Sequence, residues 1–251
     1  MKRHSLHTTE DTHRKEIFMM QSFKRLTIGL AALLLLTIGY SAKAVTLADL
    51  INNNGTIVSG DKTFSNFSYI LNPGTNSGLP DASAVTVTPI TLNGNYGLNF
   101  SGAWNNPTLN TTTDAKIGFI VTAPGPIIVD DELFGNPDLT GTMSSPNQGF
   151  MSITETAINA SNVTVSHLTI EDAYLNGQNT LISDAHGYFP LNPTYKLTVT
   201  KDMQFYNGGL TPTLSSVDQT FSQVPEPGAL TMLIASGICG SLVFLRRRSL
   251  A

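Results

Sequence analysis

Between Val45 and Val224 the sequence contains no arginine and no cysteine, and only four lysines, two histidines and one tryptophan. Without cysteine this stretch builds neither a disulfide nor a zinc–thiolate centre, so packing must hold it together. The chain's one cysteine, Cys239, lies in an apolar run near the far end, and none follows Ala44, where a lipid anchor would need one. Lys62, Lys116, Lys196 and Lys201 stand against fourteen carboxylates, so four positive and fourteen negative charges leave −10, compared with −4 for the whole chain. Such a surface repels phosphate backbones and anionic lipid, which argues against a nucleic-acid partner. There is also no G-x-S-x-G elbow, so nucleophilic hydrolase chemistry has no starting point.

The ends supply what the middle lacks. Lys24 and Arg25 precede an uncharged run from Leu26 to Tyr40, which leads into Ala42-Lys43-Ala44. Basic, apolar, then small-x-small is the secretory pattern, and the run is shorter than the roughly 20 residues that span a bilayer. Signal peptidase is expected to cut after Ala44, with Ala42 and Ala44 in its two small pockets. Residues Met1 to Phe18 are polar and charged, so Met19 or Met20 is an alternative start. At the other end Val224-Pro225-Glu226-Pro227-Gly228 precedes an uncharged run, Ala229 to Leu245, closed by Arg246, Arg247 and Arg248. As a transmembrane helix that run measures about 25 Å, close to the hydrocarbon thickness. The prolines set its start, and the arginines hold its C-terminal end in the cytoplasm. The expected division is a signal peptide over 1–44, an extracytoplasmic body over 45–224 and a sorting or anchor tail over 225–251.

The order of Val224-Pro225-Glu226-Pro227, apolar span and arginine cluster resembles the PEP-CTERM sorting signal. The resemblance covers about 27 residues, with Gly228 standing where Ser, Thr or Ala is common. It implies processing by an exosortase, an integral-membrane protease cutting near the Pro-Glu-Pro, in a Gram-negative bacterium that makes exopolysaccharide. It also implies transient inner-membrane anchoring, a final place at the cell surface or outside it, and exopolysaccharide or other matrix proteins as partners. Gly60-Asp61-Lys62-Thr63-Phe64-Ser65-Asn66-Phe67 and Asp218-Gln219-Thr220-Phe221-Ser222-Gln223 resemble segments that recur in proteins of that group, and no enzymatic activity comes with either.

The body reads as mainly β. Thr46 to Asn53 predicts one short helix with Thr46 as N-cap, ended by Asn54-Gly55. Beyond it come short β-prone runs bounded by Gly, Pro, Asn, Asp and Ser: Thr56–Val58, Thr63–Leu71, Val85–Thr91, Tyr96–Ser101, Lys116–Thr122 and Ile127–Val129. The later ones are Gly149–Ala157, Val163–Ile170, Tyr195–Thr200, Met203–Tyr206 and Val217–Ser222. This spacing predicts an antiparallel β-sandwich or jelly roll, with Asn105 to Asp114 and Gly135 to Gly149 as loops.

Candidate binding groups are few. Asp130, Asp131, Glu132 and Asp138 form the densest carboxylate cluster, hard oxygen ligands of the kind that hold Ca²⁺, although the EF-hand spacing is absent. On a strand, adjacent members of that cluster would face opposite ways and could not flank a glycosidic bond. His167 and His186 would need Asp172 or Asp184 beside them to bind a metal. Trp104 could stack on a sugar or pack in the core. Asn-x-Ser/Thr occurs at Asn54, Asn66, Asn99, Asn110, Asn159 and Asn162, as expected by chance in so Asn- and Thr-rich a body. Three functions fit: a non-enzymatic surface or matrix protein, a carbohydrate-binding module dependent or not on Ca²⁺, and a hydrolase assembled from scattered carboxylates. The first is the main expectation.

Overall fold

A computed structural model describes residues 43–72, 78–125, 127–143 and 146–223. The signal run, Ala42, the sorting motif and the arginine cluster lie outside the described residues. Among the described residues no helix is long and apolar enough to cross a membrane.

The body is a sandwich of two antiparallel sheets. The first half of the chain contributes β1 (Val45–Thr46), helix α1 (Leu47–Asn52), β2 (Ile57–Ser59), β3 (Lys62–Leu71), β4 (Thr86–Leu92), β5 (Asn95–Asn105) and β6 (Thr111–Thr122). The second half contributes β7 (Asp130–Thr140), β8 (Gln148–Asn159), β9 (Thr164–Leu175), β10 (Gln178–Ile182), β11 (Asp184–Tyr188), β12 (Lys196–Gly208) and β13 (Thr211–Phe221). One sheet has six strands in the order β1-β4-β5-β13-β7-β11, the other seven in the order β10-β9-β8-β12-β6-β3-β2.

Period-2 alternation builds each layer, because successive side chains on a strand point to opposite faces. On β12, Leu197, Val199, Met203 and Phe205 are buried while Thr198, Thr200 and Gln204 are exposed. Phenylalanines join the layers: Phe64 on β3 meets Phe119 on the neighbouring β6 at 5.9 Å, and Phe119 meets Phe100 on β5 of the other sheet at 5.8 Å. Phe64 also reaches Phe221 on β13 at 6.0 Å. Each ring taken fully out of water stabilises the sandwich by about 1.5–3 kcal/mol.

The helix forms where expected. Thr46 Oγ1 accepts from the Asp49 N–H at 3.1 Å and donates to the Asp49 carboxylate at 2.7 Å, which satisfies an otherwise orphaned helix-start donor. Several boundaries differ from the sequence expectation. Tyr195–Thr200 and Met203–Tyr206 are one continuous strand, β12, because Lys201 points inward rather than marking a break. Gly135–Gly149 reads as loop in the sequence, yet β7 runs through to Thr140, paired with β13 from Glu132 onward, and of the second loop, Asn105–Asp114, residues Thr111 to Asp114 open β6. Ile127–Val129 contributes only isolated bridges, Ile128 to Gln223 and to Thr194. The edge strands β10 and β11 were not anticipated.

Candidate functional site

The carboxylate cluster is split by the pleat of β7. Asp131 faces the sandwich interior and is fully buried, whereas Asp130 and Glu132 face the outer side of the six-stranded sheet. There β11 runs alongside, with Tyr188 opposite Asp130, His186 opposite Glu132 and Asp184 opposite Phe134. His186 Nε2 lies 2.9 Å from Asp130 Oδ2, and the Ser222 N–H donates to Asp130 Oδ1 at 3.2 Å. Thr220 Oγ1 donates to Glu132 Oε2 at 3.0 Å from β13. These side chains frame a cleft of ≈ 380 Å³ lined by Asn93, Glu132, Phe134, Asp184, Ala185 and His186. Tyr188, 66% exposed, stands at its side with its ring 6.4 Å from the His186 ring.

The other candidates fall elsewhere. Asp138 sits at the far end of β7, beside a separate groove of ≈ 390 Å³ that also touches Asn136 and Trp104. Asp130, Asp131, Glu132 and Asp138 therefore do not converge, which corrects the calcium expectation. Among the described residues no three His, Cys, Asp or Glu side chains gather to hold a metal ion. Trp104 is 1% exposed, and its indole N–H donates to the Tyr69 hydroxyl at 3.2 Å, so it packs the core and offers no stacking face. Burial of Tyr69 pushes its pKa up to about 12. His167 projects from β9 on the outer face of the other sheet, 3.3 Å from Thr156 Oγ1, so the two histidines do not meet. Asp172 is buried; its carboxyl is shifted upward by burial and then by the charge of Asp138.

The interior holds a second polar group that sequence reading missed. Lys201, Glu155, Asp131 and Gln219 are each fully buried between the sheets. Lys201 Nζ donates to Glu155 Oε2 and to Gln219 Oε1. Burial, then the neighbouring Glu155 charge, pushes the Asp131 pKa up to about 8. Alternation could have found all four. Lys201 lies in phase with Leu197, Val199 and Met203, Glu155 with Ile153 and Ala157, Asp131 with Val129 and Leu133, and Gln219 with Val217 and Phe221. Reading charged residues as solvated hid them.

No protein-family profile and no curated protein matches the chain. Among solved structures, the carbohydrate-binding module TmCBM61 in complex with β-1,4-galactotriose matches at 9% identity and TM-score 0.29, covering 61% of this chain and 86% of its own. The module TmCBM27, described for mannan recognition, matches at 8% identity and TM-score 0.29, covering 73% and 97%. A glycosylation-associated protein complex from Streptococcus agalactiae matches at 12% identity and TM-score 0.27, covering 62% of this chain and 26% of its own. Likeness at this level carries no argument about ligand or activity.

Proposed function

We propose that the chain is an exported surface or extracellular-matrix protein of a Gram-negative bacterium, whose body binds neutral polysaccharide in the β7–β11 cleft without acting on it chemically. In this reading signal peptidase cuts after Ala44, exosortase acts near Val224–Pro227, and the C-terminal apolar run anchors the precursor in the inner membrane. The carrying observation is the convergence of Glu132, Asp184 and the Asn93 amide with Phe134 and the exposed Tyr188 on one face. Carboxylates and amides take up sugar hydroxyls as hydrogen-bond partners, while aromatic rings cover the apolar faces of pyranose rings. A body carrying −10 disfavours anionic glycans, which leaves neutral ones. Asp131, whose carboxyl burial pushes up to about 8, faces the interior, away from the cleft where a glycosidase acid would have to stand.

Native affinity electrophoresis tests this with galactan, mannan and an anionic polyuronate. A neutral polymer is expected to retard the protein and the polyuronate is not. Tyr188→Ala and Glu132→Gln should each weaken retention by about five- to tenfold, corresponding to roughly 1 kcal/mol per contact. No retardation by any neutral polymer, or release of reducing ends from it, would remove this reading.

A further inference from the structure

The buried group between the sheets has the parts of an acyl-transfer site enclosed in the core. Lys201 projects from β12 in the seven-stranded sheet, directly opposite Glu155 on β8. Gln219 projects from β13 in the six-stranded sheet, and its Oε1 accepts from Lys201 Nζ. The same Nζ donates to Glu155 Oε2. Around this contact two buried polar atoms, Gln219 Nε2 and Glu155 Oε1, have no hydrogen-bond partner among the described residues. Asp131 lies beside Glu155 and Ser166, and both act on its carboxyl. A cluster built only for stability would leave few such atoms, since each costs roughly 1–3 kcal/mol when buried unsatisfied.

We propose that Lys201 and Gln219 join through an isopeptide bond that the folded protein forms itself, releasing ammonia and tying the two sheets together. The proposal is independent of glycan binding. Neutral Lys201 Nζ attacks the side-chain carbonyl carbon of Gln219, forming the new C–N bond. Glu155 takes one proton from the attacking nitrogen and returns it to Gln219 Nε2. The C–Nε2 bond then breaks and ammonia leaves, so a primary amine and a primary amide become a secondary amide plus ammonia. No oxidant, reductant or cofactor is consumed.

Three physical features favour the step. Burial disfavours the ammonium form of Lys201 and so favours the neutral nucleophile. Both reacting groups are held in contact by opposed sheets, which removes the entropic cost of bringing them together. Water is excluded, which strengthens the hydrogen bonds at the reacting carbonyl and protects the product from hydrolysis. Gln219 rather than Glu155 is the electrophile because a carboxylate repels a nucleophile and is needed as the base.

Lys62 is an internal comparison. It too is fully buried and donates to a glutamine, Gln223, at 2.8 Å, and to Asp61 at 2.8 Å. Asp61 is 29% exposed and Gln223 is exposed, so water reaches both partners. Lys62 is expected to stay free.

Tandem mass spectrometry of a proteolytic digest of the purified full chain tests the proposal. On cleavage before Asp202 and before Asp218 the expected product is a branched peptide joining the Lys201 segment to the Gln219 segment, lighter than its two parts by one ammonia, and trypsin is expected not to cut after Lys201. Lys201→Met and Glu155→Gln should restore the unbranched peptides containing residue 219. A free, cleavable Lys201 in the wild-type protein overturns the proposal, as does a branch from Lys201 to Glu155 or Asp131 with loss of water. A branch at Lys62 in place of Lys201 overturns it equally. The wild-type digest decides the matter whether or not the variants fold.

Discussion

Asp130 and Asp131 are neighbours in the chain, and the pleat of β7 gives them opposite chemistry. Asp130 reaches outward to His186 and the Ser222 amide, while Asp131 is shut between the sheets beside Glu155 and Lys201. The ordinary carboxyl value is 3.8 and the folded value of Asp131 is about 8. Between those limits the folded state holds a proton that the unfolded chain has released. The contribution of Asp131 to stability must therefore fall as pH rises through that window, and its loss is complete above about 8. Glu155 and Lys201 face Asp131 in either the linked or the unlinked protein, so the direction is the same for both. Asp131→Asn removes this titration. Its melting temperature should gain on that of the wild type as pH is raised from about 5 to about 9, reaching on the order of several kcal/mol of relative stability at the alkaline end. Melting curves across the pH series check this, and parallel curves for the two proteins would count against it. At this scale the sequence was partly legible: it placed Asp130 and Asp131 on opposite faces if they lay on a strand. The interior role of Lys201 and Glu155 was written in the same alternation, but it runs against the general rule that charges seek water.

Strand β3 shows how one residue reorganises an element. Phe64 is buried on one phase of the strand, and Phe67, Tyr69 and Leu71 pack inward on the other. No single alternation accounts for this, and the sequence pattern there was correspondingly poor. The cause is Asn66, whose φ of 53° lies in the left-handed region and coincides with a register shift between Ser65 and Ser68 against β6. An extra residue in the ladder reverses the facing of everything after it. Asn tolerates that conformation far better than a β-branched residue. Because Asn66 is exposed, replacing it changes backbone strain with little loss of packing. Asn66→Val should lower unfolding stability by about 1–2 kcal/mol and Asn66→Gly by a few tenths at most, read from urea midpoints at constant slope. Equal midpoints for the Val variant and the wild type would mean the bulge can shift elsewhere at no cost. The edge strand β10 was illegible for a different reason. All five of its residues are exposed, so burial imposes no alternation on them.

At the scale of the whole molecule, the sandwich uses the chain from end to end of the predicted body. Val45 in β1 pairs with Val87 in β4, and Gln223 bridges to Ile128 and accepts from Lys62. The two segments Gly60–Phe67 and Asp218–Gln223, set apart by their resemblance to recurring sequences, thus meet in space through Lys62 and Gln223. Cuts after Ala44 and near Pro225 would fall outside β1 and β13 and would spare the described core, which runs from Leu47 to Phe221. Sorting should therefore change the protein's location without changing its fold. In a host with exosortase the mature species should begin at Val45 and end near Pro225 at the surface or in the medium. Without exosortase a longer form should stay in the membrane fraction. Both should show the same cooperative unfolding transition, because the described core lies between Leu47 and Phe221. Intact mass, fractionation and melting curves of the two species check each part. A tail that remains attached in both hosts would make the C-terminal run an ordinary anchor. The matrix reading would then lose its support, while the cleft and the Lys201–Gln219 contact would stand on their own tests.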